Sequence, residues 1–249
     1  MVPSGFPFSK SEEELFFRKW YDFNYSYGKH KEVLNRIVSS KDPYHVLKSA
    51  DLLCVNIDLG LDTQALQVET QRLMETLPKM PADSGGLGTS KGWSRVILRG
   101  NTAHKTLREM ENDINKPIVF ERSTAPYLYD LLEEKSFPDS LSFFSVIGPH
   151  GCVGLHTDVR YKGFERGLHK LRIPIFYNKE CYFVLENFGV VPLNRGETCM
   201  FDFTHPHGVY NFSTTESKVD LSLGLEYKKN KDWLDQAAYQ AALKIIRTI

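Results

Sequence analysis

The second half of the sequence consists of short β-rich segments, and this pattern restricts the fold more than any other feature. From Trp93 onward, runs of branched and aromatic residues alternate with turn residues. The runs are WSRVILRG, SLSFFSVIG, CVGLHTD, KLRIPIFYN, CYFVLENFG, ETCMFDF, HGVYNFS and VDLSLGLEY. Eight short strands of this kind are typical of two facing antiparallel sheets. The sequence therefore predicts a mainly β fold with flanking helices, built on a double-stranded β-helix (jelly-roll, cupin-like) core.

The N-terminal part has the spacing of helices instead. From about Ser9 to Leu77, apolar residues recur every three or four positions, and Ser9 and Asp62 are placed as N-caps. Between this part and the strands, PKMPADSGGLGTSKG (Pro78 to Gly92) is rich in Pro, Gly and Ser. It predicts a long connection, either a lid over a functional site or an inert loop.

Two further helices are predicted outside the N-terminal part. STAPYLYDLLEEKSF predicts a helix inserted among the strands, and NKDWLDQAAYQAALKIIRTI predicts a C-terminal amphipathic helix that packs on its own domain. Its apolar stripe consists of Trp233, Leu234, Ala237, Ala241 and Ile245. We expect residues 1–249 to form one domain, with a mainly helical part (1–90), a jelly-roll core (91–228) and a C-terminal helix (229–249).

Composition excludes several classes of function. The 31 basic residues balance the 31 acidic ones, so nucleic acid is not an expected partner. No apolar run approaches the roughly 20 residues that span a bilayer, and the opening residues lack the pattern of a signal peptide. We therefore expect a cytoplasmic protein without a membrane partner. The four cysteines are scattered, which argues against a zinc knuckle and against disulfides.

The sequence GLHTDVR carries the first sign of a metal site. His156 and Asp158 are two positions apart on a predicted strand, where alternate side chains share a face. His207 lies 51 positions later, at the start of another strand. Two imidazoles and one carboxylate that leave coordination positions open are typical of non-haem Fe(II) oxygenases. His156, Asp158 and His207 are the predicted ligands and catalytic residues.

A second histidine competes for the last position. The sequence reads His205-Pro206-His207, so either ring could reach the ion. Pro206 enforces an extended path, and Gly-Val-Tyr-Asn continues as a strand from His207. His207 is therefore the preferred ligand, and His205 is assigned to the rim of the site.

An iron site of this kind needs an electron source, and the dicarboxylate 2-oxoglutarate needs a cation for its distal carboxylate. Lys218 opens the strand after the distal histidine, eleven positions on, and is the first candidate. Lys170 and Arg172 alternate on an otherwise apolar strand, where an unpaired charge is costly to bury. Arg172 is the second candidate, and Lys170 is either a cosubstrate residue or a solvated strand end.

The segment from His156 to Tyr227 resembles the aspartyl/asparaginyl β-hydroxylase family, which includes bacterial proline hydroxylases and belongs to the Fe(II)/2-oxoglutarate-dependent dioxygenases. The matching features are HTD, LRIPIFYN, GETCMFDFTHPHGVYN and KVDLSLGLEY, which occur in the family's order over about 70 residues. The basic residue that opens the last core strand is Lys218, one position further along than the arginine of the family.

The resemblance implies a dioxygenase that uses Fe(II), 2-oxoglutarate and dioxygen to hydroxylate or desaturate an unactivated C–H bond. Membrane-bound aspartyl hydroxylases have Gly where Asp158 stands, so this chain is nearer to the hydroxylases of free amino acids. Halogenases of the wider superfamily also lack that carboxylate, so Asp158 argues against halogenation. Asn211 is assigned to the cosubstrate or to holding the turn, and Asp202 to the structure of its strand.

The predicted substrate is a small molecule, an amino acid or a derivative. Arg95 and Arg99 are four positions apart, so on a regular strand they share a face and could bind a substrate carboxylate. Trp93, Phe120 and Tyr127 could form its apolar wall, although rim charges and core aromatics are the simpler interpretation. One alternative is a hydroxylase of peptidyl or protein side chains, and another is a non-catalytic jelly-roll binding protein. The sequence indicates no oligomeric state.

Overall fold

The computed structural model describes residues 31–49, 55–81, 90–103, 109–110, 113, 116–156, 168–185, 189–191, 195–200 and 206–247. Within them, the helices are α1 (Lys31–Ser39), α2 (Pro43–Ser49), α3 (Thr63–Thr76), α4 (Pro126–Lys135) and α5 (Tyr227–Ile246). The strands are β1 (Val55–Asp58), β2 (Lys79–Pro81), β3 (Ser90–Arg99), β4 (Ser142–His156), β5 (Leu168–Phe176), β6 (Cys181–Leu185), β7 (Gly189–Val191), β8 (Glu197–Met200), β9 (His207–Asn211) and β10 (Lys218–Glu226).

The long strand β4 joins two layers of sheet. Its first half pairs with β10 and its second half pairs with β9, whereas β3 pairs along both halves, all antiparallel. The passage between layers lies at Gly148–Gly151, where His150 has a φ of 54° and a Cβ on Gly151 would lie 2.7 Å from the carbonyl oxygen of Gly148. Only glycine allows so close an approach of two backbone segments.

Each layer of the sheet is antiparallel. The first contains β2, β3, the first half of β4, β10 and β5, and the second contains the other half of β4 with β9, β6 and β7. Strand β8 pairs with β1 and lies beside β5, where the hydroxyl of Thr198 donates to the carbonyl oxygen of Arg172 at 2.9 Å. This is the jelly-roll core with flanking helices that the sequence predicts.

The two faces of the first layer differ in chemistry because β10 alternates apolar and polar residues. Val219, Leu221 and Leu223 face the helices and belong to the main hydrophobic core. Lys218, Asp220 and Ser222 therefore point to the opposite face, which is the interior of the jelly roll. All six residues are buried, so the polar three form part of an enclosed surface.

The helices cover the outer face of the first layer. Leu234, Ala237 and Ala241 of α5 are buried in the main core, and Trp233 and Ile245 pack against it. The expectation that this stripe packs on its own domain is confirmed. Buried residues from the other helices share the same core, among them Leu34, Tyr44, Leu66, Leu73, Leu128 and Leu132.

The first 92 residues contain the predicted cap of α3 and also short strands that were not predicted. Asp62 caps α3 by accepting hydrogen bonds from the backbone of Gln64 and Ala65, at 3.0 Å each, as predicted. The predicted cap Ser9 lies outside the described residues. The mainly helical part also contains strand β1, and the predicted Pro78–Gly92 connection contains β2 and the start of β3. These short strands are determined by main-chain pairing, of β1 with β8 and of β2 with β3, and not by a local sequence pattern.

Two of the four cysteines are free thiols, in agreement with the argument against disulfides. Cys152 and Cys181 are both buried and free. Burial raises the pKa of the Cys181 thiol to about 12. The thiol of Cys181 therefore stays protonated at neutral pH.

Candidate metal and cosubstrate site

Strand pairing brings His156 and His207 together. They are register partners at the ends of β4 and β9. The centroids of the two imidazole rings lie 4.3 Å apart at an interplanar angle of 50°. His207 is buried, with 5% of its surface exposed, and the ring of Phe183 lies 6.2 Å from it. Two residues that are 51 positions apart in the sequence thus form one local pair.

The orientation of the His156 ring is fixed by its own strand. Its Nδ1 donates to the carbonyl oxygen of Gly154 at 2.8 Å. This hydrogen bond assigns the proton to Nδ1, so Nε2 is the unprotonated nitrogen of the ring, which is the tautomer that a metal-binding histidine needs. Asp158, the proposed carboxylate ligand, lies outside the described residues, as do His205 and Asp202. Among the described residues there is no group of three metal-binding side chains.

Lys218 lies on the interior face of the first layer, at the start of β10. It is 1% exposed, and its ammonium group makes an ion pair with Asp220, whose side chain is 8% exposed. Its Nζ lies 5.9 Å from the centroid of the Tyr177 ring. The charge of Lys218 also acts on the Cys181 thiol of the second layer, where it opposes the effect of burial on the thiol pKa. Lys218 therefore lies between the two layers.

Three cations surround the ring of Phe143, which is a register neighbour of Ser222. The centroid of this ring lies 5.2 Å from Cζ of Arg95, 5.5 Å from Nζ of Lys170 and 5.6 Å from Cζ of Arg172. The register of β5 against β10 confirms that Lys170 and Arg172 share a face. Three cations of two different strands thus meet around one ring on the interior face.

Trp93 forms one wall of this charged region. Its Nε1 donates to the hydroxyl of Ser145 at 2.9 Å, and Cζ of Arg95 lies 4.2 Å from the centroid of its ring. Arg95 is 7% exposed. The register pairs Arg95 with Ser145 and Ser145 with Asp220. Arg95 therefore belongs to the interior face of the jelly roll.

Arg99 does not join Arg95, so the expectation that the two share a face is wrong. The register of β3 against β4 shifts between Ile97 and Arg99, and this bulge pairs Arg99 with Ser142. One extra residue reverses the direction of a side chain. Arg99 instead donates to the carbonyl oxygen of Lys116 and to Glu133, at 2.9 Å each. Its guanidinium is thereby held in a structural contact.

Phe120 and Tyr127 also serve the structure around the core. Phe120 is buried in the main core and makes an edge contact with Tyr129. The hydroxyl of Tyr127 accepts a hydrogen bond from the backbone of Asp62 at 2.9 Å. Both aromatics thus make structural contacts, in agreement with the simpler of the two interpretations of the sequence.

Asn211 is wholly buried, and both the nitrogen and the oxygen of its side-chain amide form hydrogen bonds. Its Nδ2 donates to the carbonyl oxygens of Ile147, Gly148 and Glu216, at 3.1, 3.0 and 2.7 Å. Its Oδ1 accepts from the backbone of Ser213 at 3.2 Å. Of the two sequence-based assignments, these contacts favour the turn over the cosubstrate.

A sequence profile described as aspartyl/asparaginyl β-hydroxylase matches residues 61–223, more than half of the chain. The chain belongs to the aspartyl/asparaginyl β-hydroxylase family. Members of this family are Fe(II)/2-oxoglutarate-dependent oxygenases, so the enzyme's cofactors are Fe(II), 2-oxoglutarate and dioxygen. The adjacent imidazoles, with the proton of His156 on Nδ1, fit an iron of this kind.

Solved structures resemble the fold of this β-hydroxylase family member. A 2OG-Fe(II) oxygenase family oxidoreductase from Burkholderia pseudomallei has a TM-score of 0.50 and 12% identity, covering 73% of this chain and 88% of that one. A prolyl-4-hydroxylase from Pseudomonas putida has a TM-score of 0.39 and 10% identity, covering 79% of this chain and 97% of that one. The first similarity supports the jelly-roll fold.

A search of curated proteins gave no match to this hydroxylase family member. Among the residues that the structure describes, no helix is both long and apolar enough to cross a membrane.

Sequence reasoning missed two residues of the jelly-roll interior, Asp220 and Phe143. Asp220 contacts Lys218, and the ring of Phe143 is the point on which the cations converge. The signal for Asp220 was present, because Lys218, Asp220 and Ser222 alternate with apolar residues in KVDLSLGLEY. The role of Phe143 depends on the pairing of β4 with β10 and carried no local signal.

Proposed function

We propose that this enzyme hydroxylates an unactivated C–H bond of an amino acid or a small amino-acid derivative, with desaturation as the variant outcome. The proposed iron ligands are His156, Asp158 and His207. The single observation that carries this assignment is the contact of the two imidazoles, whose ring centroids are 4.3 Å apart. A facial set of two histidines and one carboxylate leaves positions open for cosubstrate and dioxygen.

The chemistry supplied by bound Fe(II) is the reduction of dioxygen, coupled to the oxidative decarboxylation of 2-oxoglutarate to succinate and CO₂. The chain's own residues orient the reactants. The Nδ1 of His156 donates to Gly154, so Nε2 is the nitrogen that would bind the metal. Lys218 is the proposed anchor of the distal carboxylate, with Arg172 as the second candidate and Lys170 beside it.

The proposed substrate class rests on the charges around Phe143. Arg95 is buried against Trp93, and Lys170 and Arg172 reach the same ring from β5. One buried and two half-buried cations around a single ring favour an anionic ligand. Among the described residues, the guanidinium of Arg172 has no ion-pair partner. A carboxylate-bearing small molecule suits this environment, and Arg95 with Trp93 would bind it. Arg99 no longer belongs to the proposed substrate site.

The substrate class can be tested by succinate formation with a panel of free amino acids and of peptides that contain the same side chains. The proposal predicts that free amino acids stimulate succinate formation and acquire one oxygen. It also predicts that Arg95→Met raises the KM of the stimulating amino acid about tenfold or more. Stimulation by peptides alone would support the peptidyl hydroxylase instead. The surface variant Arg122→Met serves as a control because Arg122 pairs with Asp130 on the protein surface.

A further inference from the structure

We propose that Asp220 competes with the distal carboxylate of 2-oxoglutarate for Lys218, and so limits the enzyme's affinity for its cosubstrate. This inference rests on the proposed function, because it takes Lys218 as the anchor. Asp220 would be a specificity-determining residue of the cosubstrate site, and it would act through the lysine.

The geometry of the pair supports this competition. Lys218 and Asp220 are two positions apart on β10, so both side chains point into the jelly roll. The ammonium group contacts Oδ2 of Asp220, and the side chains are 1% and 8% exposed. A buried lysine is thus already neutralised by a carboxylate of its own strand.

The second oxygen of Asp220 is unsatisfied. Among the described residues, Oδ1 is buried and has no hydrogen-bond partner. The hydroxyl groups nearby among the described residues do not compensate it. The hydroxyl of Tyr177 donates to the carbonyl oxygen of Cys181, and the hydroxyl of Ser145, which accepts the indole N–H of Trp93, makes no hydrogen bond to Oδ1. A buried carboxylate oxygen without a donor is costly, so this position is not optimised for stability.

The charges determine what an incoming dicarboxylate meets. The Lys218–Asp220 pair has no net charge, and the free Oδ1 repels a second carboxylate. Binding of the distal carboxylate must therefore share or displace the contact between Lys218 and Asp220. Removing the charge of Asp220 should leave the buried ammonium unpaired in the free enzyme and increase its attraction for an anion.

Arg172, the second candidate anchor, lies at a different position of the interior face from the Lys218–Asp220 pair. It pairs in register with Ser222, the next interior residue of β10, and its guanidinium lies against Phe143. If Arg172 were the sole anchor, loss of the Asp220 charge would change the affinity for 2-oxoglutarate little. The effect of Asp220→Asn therefore separates the two candidates.

The test is calorimetric titration of 2-oxoglutarate into the Mn(II)-loaded full-length protein without oxygen. We expect Asp220→Asn to bind about tenfold tighter than the wild type, with a lower Tm before ligand is added. Asp235→Asn is the matched control, because it removes a buried carboxylate that pairs with Lys231 on α5. It should lower Tm and leave the 2-oxoglutarate affinity unchanged. Equal or weaker binding by Asp220→Asn would overturn the proposal.

A second measurement needs only the wild type, and so does not depend on the folding of a variant. 2-Oxopentanoate has the length of 2-oxoglutarate and lacks the distal carboxylate. If Asp220 neutralises the anchor, the wild type should prefer 2-oxoglutarate by less than about tenfold, since the distal contact gains little. A preference of a hundredfold or more would contradict the competition. Binding of neither acid would instead refute the proposed function, and the inference with it.

Discussion

His156 and His207 show how much of this site is decided by single side chains. His156 is oriented by a hydrogen bond to Gly154, two positions earlier on the same strand. His207 is buried and contacts both His156 and Phe183. Each ring is therefore held before any metal binds, which reduces the entropy that binding must overcome.

The assignment of His207 over His205 predicts a difference between two alanine variants. His207→Ala should lose stoichiometric binding of Fe(II) or Mn(II), because two ligands make an incomplete facial set. His205→Ala should retain it. Metal content after anaerobic loading and desalting measures both. If His205→Ala loses the metal while His207→Ala keeps it, the ligand assignment is wrong.

The interior cations predict where the cosubstrate is anchored. Lys218→Ala should raise the KM for 2-oxoglutarate about ten- to hundredfold, because it removes the cation and leaves the buried carboxylate of Asp220 to repel the distal carboxylate. Arg172→Ala should have the larger effect only if the second candidate is the anchor. Lys228→Ala, at an exposed position of α5, is the control. Unchanged KM values in both site variants would exclude both candidates.

At the scale of elements, the bend of β4 builds the site. The bend allows one strand to pair with β10 in the first layer and with β9 in the second. Asn211 holds this bend from β9, since its amide bonds the carbonyl oxygens of Ile147 and Gly148. A defect here would alter the distance between the interior faces of the two layers.

Asn211→Ala should therefore act on stability. The variant leaves three carbonyl oxygens, one buried and two partly buried, without this donor, and we expect the free energy of unfolding to fall by about 3 kcal/mol. Asn35→Ala, on the exposed side of α1, should change it by less than about 0.5 kcal/mol. Urea unfolding measures both. A stable Asn211→Ala protein with a tenfold higher KM for 2-oxoglutarate would favour the cosubstrate role instead.

The same elements show what the sequence could predict. Period-two alternation in KVDLSLGLEY predicted β10 and the apolar spacing predicted α5, because both patterns reflect burial of one face. Strands β1 and β2 escaped prediction because their partners, β8 and β3, lie far along the chain or across a connection. No residue pattern in SRVILRG predicts the bulge that directs Arg99 away from Arg95.

At the scale of the whole molecule, the jelly roll separates two kinds of face. Helices cover the apolar side of the first layer, and the polar side of that layer encloses the cations with His207 on the opposite layer. The arrangement keeps charged groups away from the packed core while still removing them from water. The Lys170 and Arg172 pattern was readable in the sequence, whereas the convergence on Phe143 required the pairing of three strands.

The most direct test of the account is mass spectrometry of succinate formed from 2-oxoglutarate under ¹⁸O₂. One oxygen atom of dioxygen should enter succinate and the other should enter the hydroxylated product. The wild type should therefore release succinate that contains one ¹⁸O, and His156→Ala and His207→Ala should release none above background. Unlabelled succinate, or labelled succinate at the wild-type rate from both variants, would contradict an oxygenase site built on this pair of histidines.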